Sequence, residues 1–166
     1  ASVRLRGAAQ KWWLHHSLLA LSKHLKKHGC DLVFKRGDSL TILKEVAQQA
    51  GITSVFWNKA LTPAQAALDH ELSLSLQKFG LTISVFDDGL LNAPGQPRTQ
   101  QNRDYTVFTP YWNALKASRI PDPLGIPQNL KSGKHNIESE LIDAWNLLPK
   151  KPDWSTGFDM WTPGEA

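Results

Sequence analysis

Apolar and polar positions in the first half of the chain follow a repeating unit: a helical stretch, a glycine and a short β-branched or aromatic run. In the first unit, Gly29 supplies a left-handed stop after a helix. Four leucines with 4, 3, 4 spacing share one face of that helix: Leu14, Leu18, Leu21 and Leu25. The run at residues 31–35 is therefore predicted to be the strand that follows.

Two further units repeat this pattern. The second runs from a helix cap at Asp38 to a strand at residues 53–57. The third begins with Thr62 as N-cap and Pro63 at the first helical position, and it ends in a strand at residues 82–86. Helices that alternate with short apolar strands predict a parallel sheet covered on both faces, which is a Rossmann-like three-layer α/β/α fold.

The second half of the chain is interrupted by prolines and has fewer regular elements. Thr109 and Pro110 predict a short helix that runs to about Lys116. From residue 118 onward the prolines leave room for one helix, near residues 137–145, in a segment typical of an interdomain linker. Three linker tryptophans carry too much apolar surface to remain in water, so we expect them to pack against a neighbouring surface: Trp145, Trp154 and Trp161.

The composition fits a globular protein, with 41% hydrophobic and 20% charged residues. The single cysteine excludes an internal disulfide framework and favours a reducing compartment. No apolar run is long enough for a membrane span, so the expected location is the cytoplasm, with no membrane partner. The net charge of +4 permits a polyanion partner without demonstrating one.

Four segments occur in a diagnostic order: GAAQKWWLHHSLLAL at 7–21, VFWN at 55–58, VFTPYW at 107–112 and WTPGE at 161–165. Together they resemble the N-terminal α/β domain of class I deoxyribodipyrimidine (DNA) photolyases. These are light-driven repair enzymes, and their family also contains the cryptochromes. The resemblance extends from about Gly7 to the last residue.

This resemblance implies that the chain is a piece of a larger enzyme that repairs cyclobutane pyrimidine dimers in UV-damaged DNA. Family members begin with a strand and loop reading roughly W-F-R-x-D-L-R, and nothing similar precedes Ser2. The expected organisation is an incomplete α/β domain at 1–117, an interdomain linker at 118–161, and the start of a helical FAD domain at 162–166. FAD and every catalytic residue would belong to that further domain, so this chain alone is expected to be inactive.

The family's sheet has the strand order 3-2-1-4-5. By resemblance, the strands at 31–35, 53–57 and 82–86 correspond to the third, fourth and fifth. The first two strands should lie between the third and the fourth, and their absence would leave open edges. We therefore expect that the chain belongs to a longer one, or that it completes its sheet by rearrangement or self-association.

Ligands of open α/β sheets bind at the carboxyl ends of the strands, which here means the loops at 35–39, 58–63 and 87–91. An antenna chromophore (a folate, a deazaflavin or a flavin) is the ligand that the resemblance implies. The residues best placed by topology to bind it are Gly37, Asp38, Trp57, Asn58 and Lys59.

The acidic residues that relatives use for the antenna are not present at the matching positions. Folate-binding members hold the pterin with an Asn-Glu pair, where this chain has Ala64 and Gln65. Deazaflavin-binding members use acidic residues in the preceding loop, where this chain has Ala60 and Thr62.

The VFTPYW segment combines several aromatic side chains at the start of a helix. We expect Phe108, Tyr111 and Trp112 to form part of the surface that docks the helical FAD domain. His24 and His28 have the spacing of metal ligands, but Lys23, Lys26 and Lys27 surround them, which is typical of a solvated basic face. No metal site is predicted.

Other candidate groups favour structural roles. His15 and His16 lie beside the tryptophans and are interpreted as packing or hydrogen-bonding side chains. Asp87 and Asp88 follow a strand, where adjacent carboxylates usually bound a turn.

Two alternative functions remain open at this point. Cryptochrome photoreceptors share the architecture without the repair activity. A stand-alone nucleotide-binding or flavin-binding module, such as an electron-transfer flavoprotein subunit, would share the α/β pattern but lacks the WWLHH, VFTPYW and WTPGE segments.

Overall fold

The computed structural model describes residues 5–87, 90, 92, 95–118, 122, 124–125, 127, 130–131, 133, 136–158 and 160–164. Helix α1 spans Ala8–Lys27 and helix α2 spans Ser39–Ala50. Strand β1 (Ser54–Asn58), helix α3 (Pro63–Lys78) and strand β2 (Thr82–Phe86) follow. Helix α4 (Phe108–Ala117) is followed by two 3-10 turns, Ile142–Trp145 and Ser155–Gly157.

Strands β1 and β2 pair in parallel, with Ser54 opposite Thr82 and Asn58 opposite Phe86. Their connection passes through α3, as the alternation of helix and strand predicts. This confirms the α/β fold class and the adjacency of the second and third predicted strands. Both strands end at the same edge, so the loops that follow them lie together.

An apolar core joins the two strands to α2 and α3. Leu76 on α3 is fully buried, and Ala47 on α2 and Leu81 before β2 are nearly so. Val55 and Trp57 on β1 pack against this cluster, since alternate strand residues point to one face. Ala47 and Leu76 therefore join α2 and α3 to the strand pair, whereas Phe79 at the end of α3 is exposed.

The predicted caps of α2 are present. Asp38 accepts a hydrogen bond from the Thr41 backbone N–H at 2.9 Å, and Gly51 ends the helix in the left-handed region with φ of 63°. The predicted cap of α3 differs, because Thr62 has the extended backbone of a cap but no side-chain hydrogen bond to the helix backbone. Its hydroxyl lies instead 2.8 Å from the Gln65 side-chain oxygen.

The predictions of a strand at 31–35 and of a helix at 137–145 were wrong in detail. Residues 31–35 form no strand, and residues 137–141 form no regular secondary structure. The two segments hydrogen-bond to each other instead: the Phe34 N–H donates to Ser139 Oγ at 2.9 Å, and the Glu140 N–H donates to the Phe34 carbonyl at 2.8 Å. Residues 139 and 140 thereby bond to residue 34 rather than within a helix, and only the turn Ile142–Trp145 is helical.

Helix α1 buries a different face from the one that its leucines predict. Its buried side chains are Trp12 and His15, whereas Leu21 is largely exposed. The segment at 118–161, which we call the linker after its predicted role, explains this choice. Phe158 packs edge-on against Trp12 with ring centroids 5.2 Å apart, and Asp143 approaches His15. The partners of α1 therefore come from sequence positions more than 100 residues away.

The opposite face of the two-stranded sheet carries exposed aromatic side chains. Phe56 is 64% exposed and stacks with Phe86, with ring centroids 6.3 Å apart. Among the described residues, β2 is the only strand that pairs with β1. Self-association through the open edge of β1 stays a prediction, and light scattering would test it.

Within the described part of the chain, none of the helices combines the length and apolarity needed to cross a bilayer.

Candidate functional site

The carboxyl ends of β1 and β2 are joined by Lys59, the first residue after β1. Its backbone N–H donates to the Phe86 carbonyl at 2.8 Å, which extends the pairing of the strands by one bond. Its amine lies 3.5 Å from the Asp87 carboxylate, with both side chains more than half exposed. An exposed pair of this kind contributes little to stability, so its main effect is to keep the two loops together.

The loop between β1 and α3 is held by a carboxylate that the sequence pattern did not single out. The Ala60 N–H donates to Asp69 Oδ2, which reaches back from the second turn of α3, at 3.3 Å. This contact positions the loop backbone next to Asn58, whose side chain is exposed. In the sequence, only the position of Asp69 inside the predicted helix, nine residues after Ala60, could have indicated this contact.

Trp57 places one unpartnered polar atom near this edge of the sheet. Its indole ring packs against the apolar core. Its Nε1 is buried without a hydrogen-bond acceptor among the described residues. A buried indole N–H normally finds an acceptor, since leaving a polar group unpaired costs free energy. Trp57 Nε1 is thus a buried donor without a partner among the described residues.

Gly37 and Asp38 lie at the start of α2 and form a separate group. The Asp38 carboxylate accepts hydrogen bonds from both the backbone N–H and the hydroxyl of Thr41, and these bonds lower the pKa of Asp38. Gly37 has φ of 150°, and a β-carbon there would lie 3.2 Å from Ile42 Cδ1. The close approach and the backbone conformation both favour glycine at this position.

Glu140 in the linker fixes the loop that leads to Gly37. One carboxylate oxygen accepts the Arg36 backbone N–H at 2.8 Å, and the other accepts Trp145 Nε1 at 2.7 Å. These two hydrogen bonds, the one from Arg36 first, lower the pKa of Glu140. Trp145 also packs edge-on against Phe34, with ring centroids 6.0 Å apart. Nothing in the local sequence around Glu140 indicates its contact with Arg36, which lies 104 residues earlier.

The five candidate ligand residues therefore form two groups in the described structure. Trp57, Asn58 and Lys59 are consecutive at the end of β1, whereas Gly37 and Asp38 begin α2. No hydrogen bond, ion pair or ring contact among the described residues joins one group to the other. Asp38 is occupied by its cap and Lys59 by its ion pair, whereas the Trp57 indole N–H and the Asn58 amide have no hydrogen-bond partner among the described residues.

The predicted docking residues lie on α4. Phe108 is 72% exposed and Trp112 is 43% exposed, and their rings stack nearly parallel with centroids 6.2 Å apart. Tyr111 is half-buried and packs against Tyr105. The α4 surface therefore presents an aromatic pair to its surroundings.

The remaining sequence candidates divide between described and undescribed residues. Asp88, the second carboxylate after β2, and Glu165, the last residue of the WTPGE segment, lie outside the described residues. In the part of the chain that is described, no group of three or more His, Cys, Asp and Glu side chains is arranged to hold a metal ion. His24 and His28 do lie together, with ring centroids 5.0 Å apart.

These features define a parallel α/β domain, with candidate ligand groups at the carboxyl end of its sheet. The family model for DNA photolyase matches residues 2–128 of the chain. The chain therefore belongs to the DNA photolyase family.

Two photolyases of the genus Agrobacterium illustrate the relationship. The chain is 43% identical over 162 residues to the deoxyribodipyrimidine photo-lyase of Agrobacterium fabrum, covering 96% of this chain and 34% of that protein. The crystal structure of a bacterial class III photolyase from Agrobacterium tumefaciens superposes with a TM-score of 0.90 at 41% identity. That match covers 99% of this chain and 34% of the solved chain.

Cryptochromes are also similar, at lower identity. Cryptochrome-1 of Arabidopsis thaliana is 29% identical over 165 residues, which is 91% of this chain and 24% of that protein. The chain thus spans about a third of the length of the Agrobacterium proteins and corresponds to the photolyase N-terminal domain.

Proposed function

We propose that this chain is the N-terminal domain of a light-dependent enzyme that repairs cyclobutane pyrimidine dimers. The observation that carries the proposal is the 43% identity over nearly the whole chain with a deoxyribodipyrimidine photo-lyase, against 29% with Cryptochrome-1. In this proposal, FAD and the residues that act on the flipped-out dimer belong to a helical domain beyond this chain. The chain itself serves as a scaffold, a docking surface and a candidate antenna site.

The identity to a solved class III protein supports assignment to that class, although the motifs resemble class I members.

The test is light-dependent reversal of thymine dimers by the longer protein that contains this sequence. We expect the dimers to disappear under blue light and to persist in the dark. The isolated chain should show neither this activity nor stoichiometric FAD. Dimer reversal or bound FAD in the isolated chain would contradict the division of labour proposed here.

Cryptochrome function is the second candidate, supported by the similarity to the Arabidopsis protein. It predicts that the longer protein binds FAD and changes its absorption under blue light but leaves thymine dimers intact. The dimer assay therefore separates the two functions. None of the matches described above is with a stand-alone flavin-binding module.

The stacked aromatic pair on α4 is proposed to dock the helical FAD domain. Its support is the exposure of Phe108 and Trp112, since two large aromatic side chains side by side are seldom left in water. Changing Trp112 to Ala in the longer protein should lower its free energy of unfolding by about 3 kcal/mol and leave the isolated chain nearly unaffected. Equal loss in both proteins would indicate packing within this domain instead.

An antenna chromophore is proposed to bind at the carboxyl end of β1. Its support is the exposed Asn58 amide at the carboxyl end of β1, on the opposite face of the strand from the buried Trp57 ring. The Asn58 amide would donate a hydrogen bond to the ring system of the chromophore, whose contribution is to absorb light. Purified longer protein should then show a second chromophore besides FAD, with lower occupancy in an Asn58→Ala variant. A Gln65→Ala variant serves as the matched control, and equal occupancy in all three proteins would contradict the site.

A further inference from the structure

Positive charge is concentrated at the start of this chain. Six of its 19 Lys and Arg residues, and none of its 15 Asp and Glu residues, lie among the first 30 positions. That segment carries a formal charge of +6, and the remaining 136 residues carry −2. The net charge of +4 therefore understates a strong asymmetry along the chain.

Half of those cations lie in the last two turns of α1. We call Lys23, Lys26 and Lys27 the α1 lysine cluster; all three side chains are exposed. Among the described residues, no carboxylate lies within 4.0 Å of any of their amines. The exposed His24 and the half-buried His28 lie in the same part of the chain, with their ring centroids 5.0 Å apart.

Helix electrostatics account for only part of this cluster. The carboxyl end of a helix favours cations within its last turn, which applies to Lys26 and Lys27. Lys23 lies one turn earlier, outside that last turn. The preference for cations at this end also does not explain why α1 contains no acidic residue at all. Two lysines elsewhere in the chain are engaged: Lys59 pairs with Asp87, and Lys116 lies over the Trp112 ring.

The chemistry of the cluster fits an extended polyanion. Lysines one turn apart on a helix reach neighbouring phosphates, and neutralising phosphates releases the counterions condensed on nucleic acid. A lipid surface fits less well, because Leu14, Leu18 and Leu25 on the apolar side of α1 are partly covered by the rest of the molecule. A membrane-surface helix would need that apolar side free.

We propose that the α1 lysine cluster binds the phosphate backbone of nucleic acid. It is a contact surface on the α/β domain, separate from the site that recognises the lesion. It shares the nucleic-acid partner of the proposed function but does not require repair activity. The contact is independent of base sequence, because lysine amines bind phosphates without reading base edges.

The test is the salt dependence of binding to an undamaged, fluorescein-labelled DNA duplex, measured by anisotropy with the longer protein between 50 and 200 mM KCl. The triple variant K23A/K26A/K27A should reduce the slope of log affinity against log salt by about 2.7, for three phosphate contacts. Across that salt range the wild-type protein should accordingly lose about 40-fold more affinity than the variant.

The matched control is K78A/K150A/K151A, which removes three exposed lysines and the same net charge elsewhere. It should leave the slope unchanged, and thermal unfolding should show both variants folded. Equal reduction in both variants would overturn the proposal in favour of a net-charge effect, and an unchanged slope in the cluster variant would also overturn it.

Two further measurements keep this proposal distinct from its alternatives. Vesicles of anionic phospholipid provide the second arm: loss of vesicle binding in the cluster variant with unchanged duplex binding would assign the surface to lipid and overturn the proposal.

Dimer reversal at saturating DNA should be equal in wild type and cluster variant. Absence of repair in both, with the salt slope still reduced in the variant, would refute the proposed function and leave this inference standing.

Discussion

Two regions of this molecule are held together by different physics. The unit formed by α2, β1, α3 and β2 has an apolar core around Leu76 and a parallel strand pair. The region formed by α1 and the linker has little aliphatic core and depends on ring contacts and polar contacts. Its main contacts are Trp12 with Phe158, His15 with Asp143, and Glu140 with Arg36 and Trp145.

The two regions differ in the source of their stability. Apolar burial is additive and tolerant of small shifts, so the strand unit should lose stability in proportion to the volume removed. Single polar and aromatic contacts depend on geometry, so the α1–linker region should respond locally to each loss.

Leu76→Ala should have the largest effect. This side chain is fully buried, and its truncation should lower the free energy of unfolding by about 2–5 kcal/mol, through lost burial and the cavity left behind. The measurement is chemical denaturation of the purified protein. Leu68→Ala, at a position 55% exposed on the same helix, is the control and should cost under about 1 kcal/mol. Similar losses for both variants would mean that the strand unit has no well-packed core.

The same contrast explains what the sequence could predict. Elements with local periodicity follow the predicted pattern, such as the helix from Asp38 to Gly51 and the strands around Trp57 and Val85. The N-cap, the apolar face and the terminating glycine of such a helix lie close together in the sequence. The segment at 31–35 has the composition of a strand, yet its backbone pairs with residues 139 and 140. Sequence periodicity contains no information about a partner about 105 positions away.

The candidate site divides in the same way. Topology alone places Trp57, Asn58 and Lys59 at the end of a strand, and the structure has them there. The contacts that fix the neighbouring loops come from Asp69 and Glu140, which no motif marks. Composition alone does not predict that the Trp57 indole nitrogen lacks an acceptor, since this depends on the packing around the ring.

Phe158→Ala tests the aromatic contact of the linker with α1. Phe158 packs edge-on against both Trp12 and Trp154 but is only half-buried, so its loss should cost about 1–2 kcal/mol. Trp12 fluorescence should shift to the red as water reaches its ring. Phe158→Leu should retain most of the stability, because it keeps apolar volume. A loss as large as that of Leu76→Ala would contradict the contrast between the regions.

Glu140→Gln should act locally rather than globally. The variant keeps the size of the side chain, but one of its two terminal atoms can no longer accept a hydrogen bond, so either Arg36 or Trp145 loses its partner. We expect faster hydrogen exchange at the Arg36 amide and little change at Ala47 in the strand unit. Glu138→Gln, two positions earlier in the linker, is the matched control. Faster exchange throughout the molecule would indicate that the linker supports the whole fold.

The smallest expected effect is a pH dependence of the α1–linker contact at His15. Burial of the ring, followed by the neighbouring His16, lowers the pKa of His15, while Asp143 at 4.0 Å opposes this shift. Unfolding restores a pKa near 6.5, so below that pH the unfolded chain binds a proton that the folded chain resists. The contact is therefore fully stable above about pH 7 and weakens as the pH falls through about 6.5 towards the folded pKa. Denaturation midpoints measured from pH 8 to pH 5 should show this decline, and His15→Gln should flatten it. A stability that increases on acidification over this range would mean that the attraction of Asp143, rather than burial, dominates at His15.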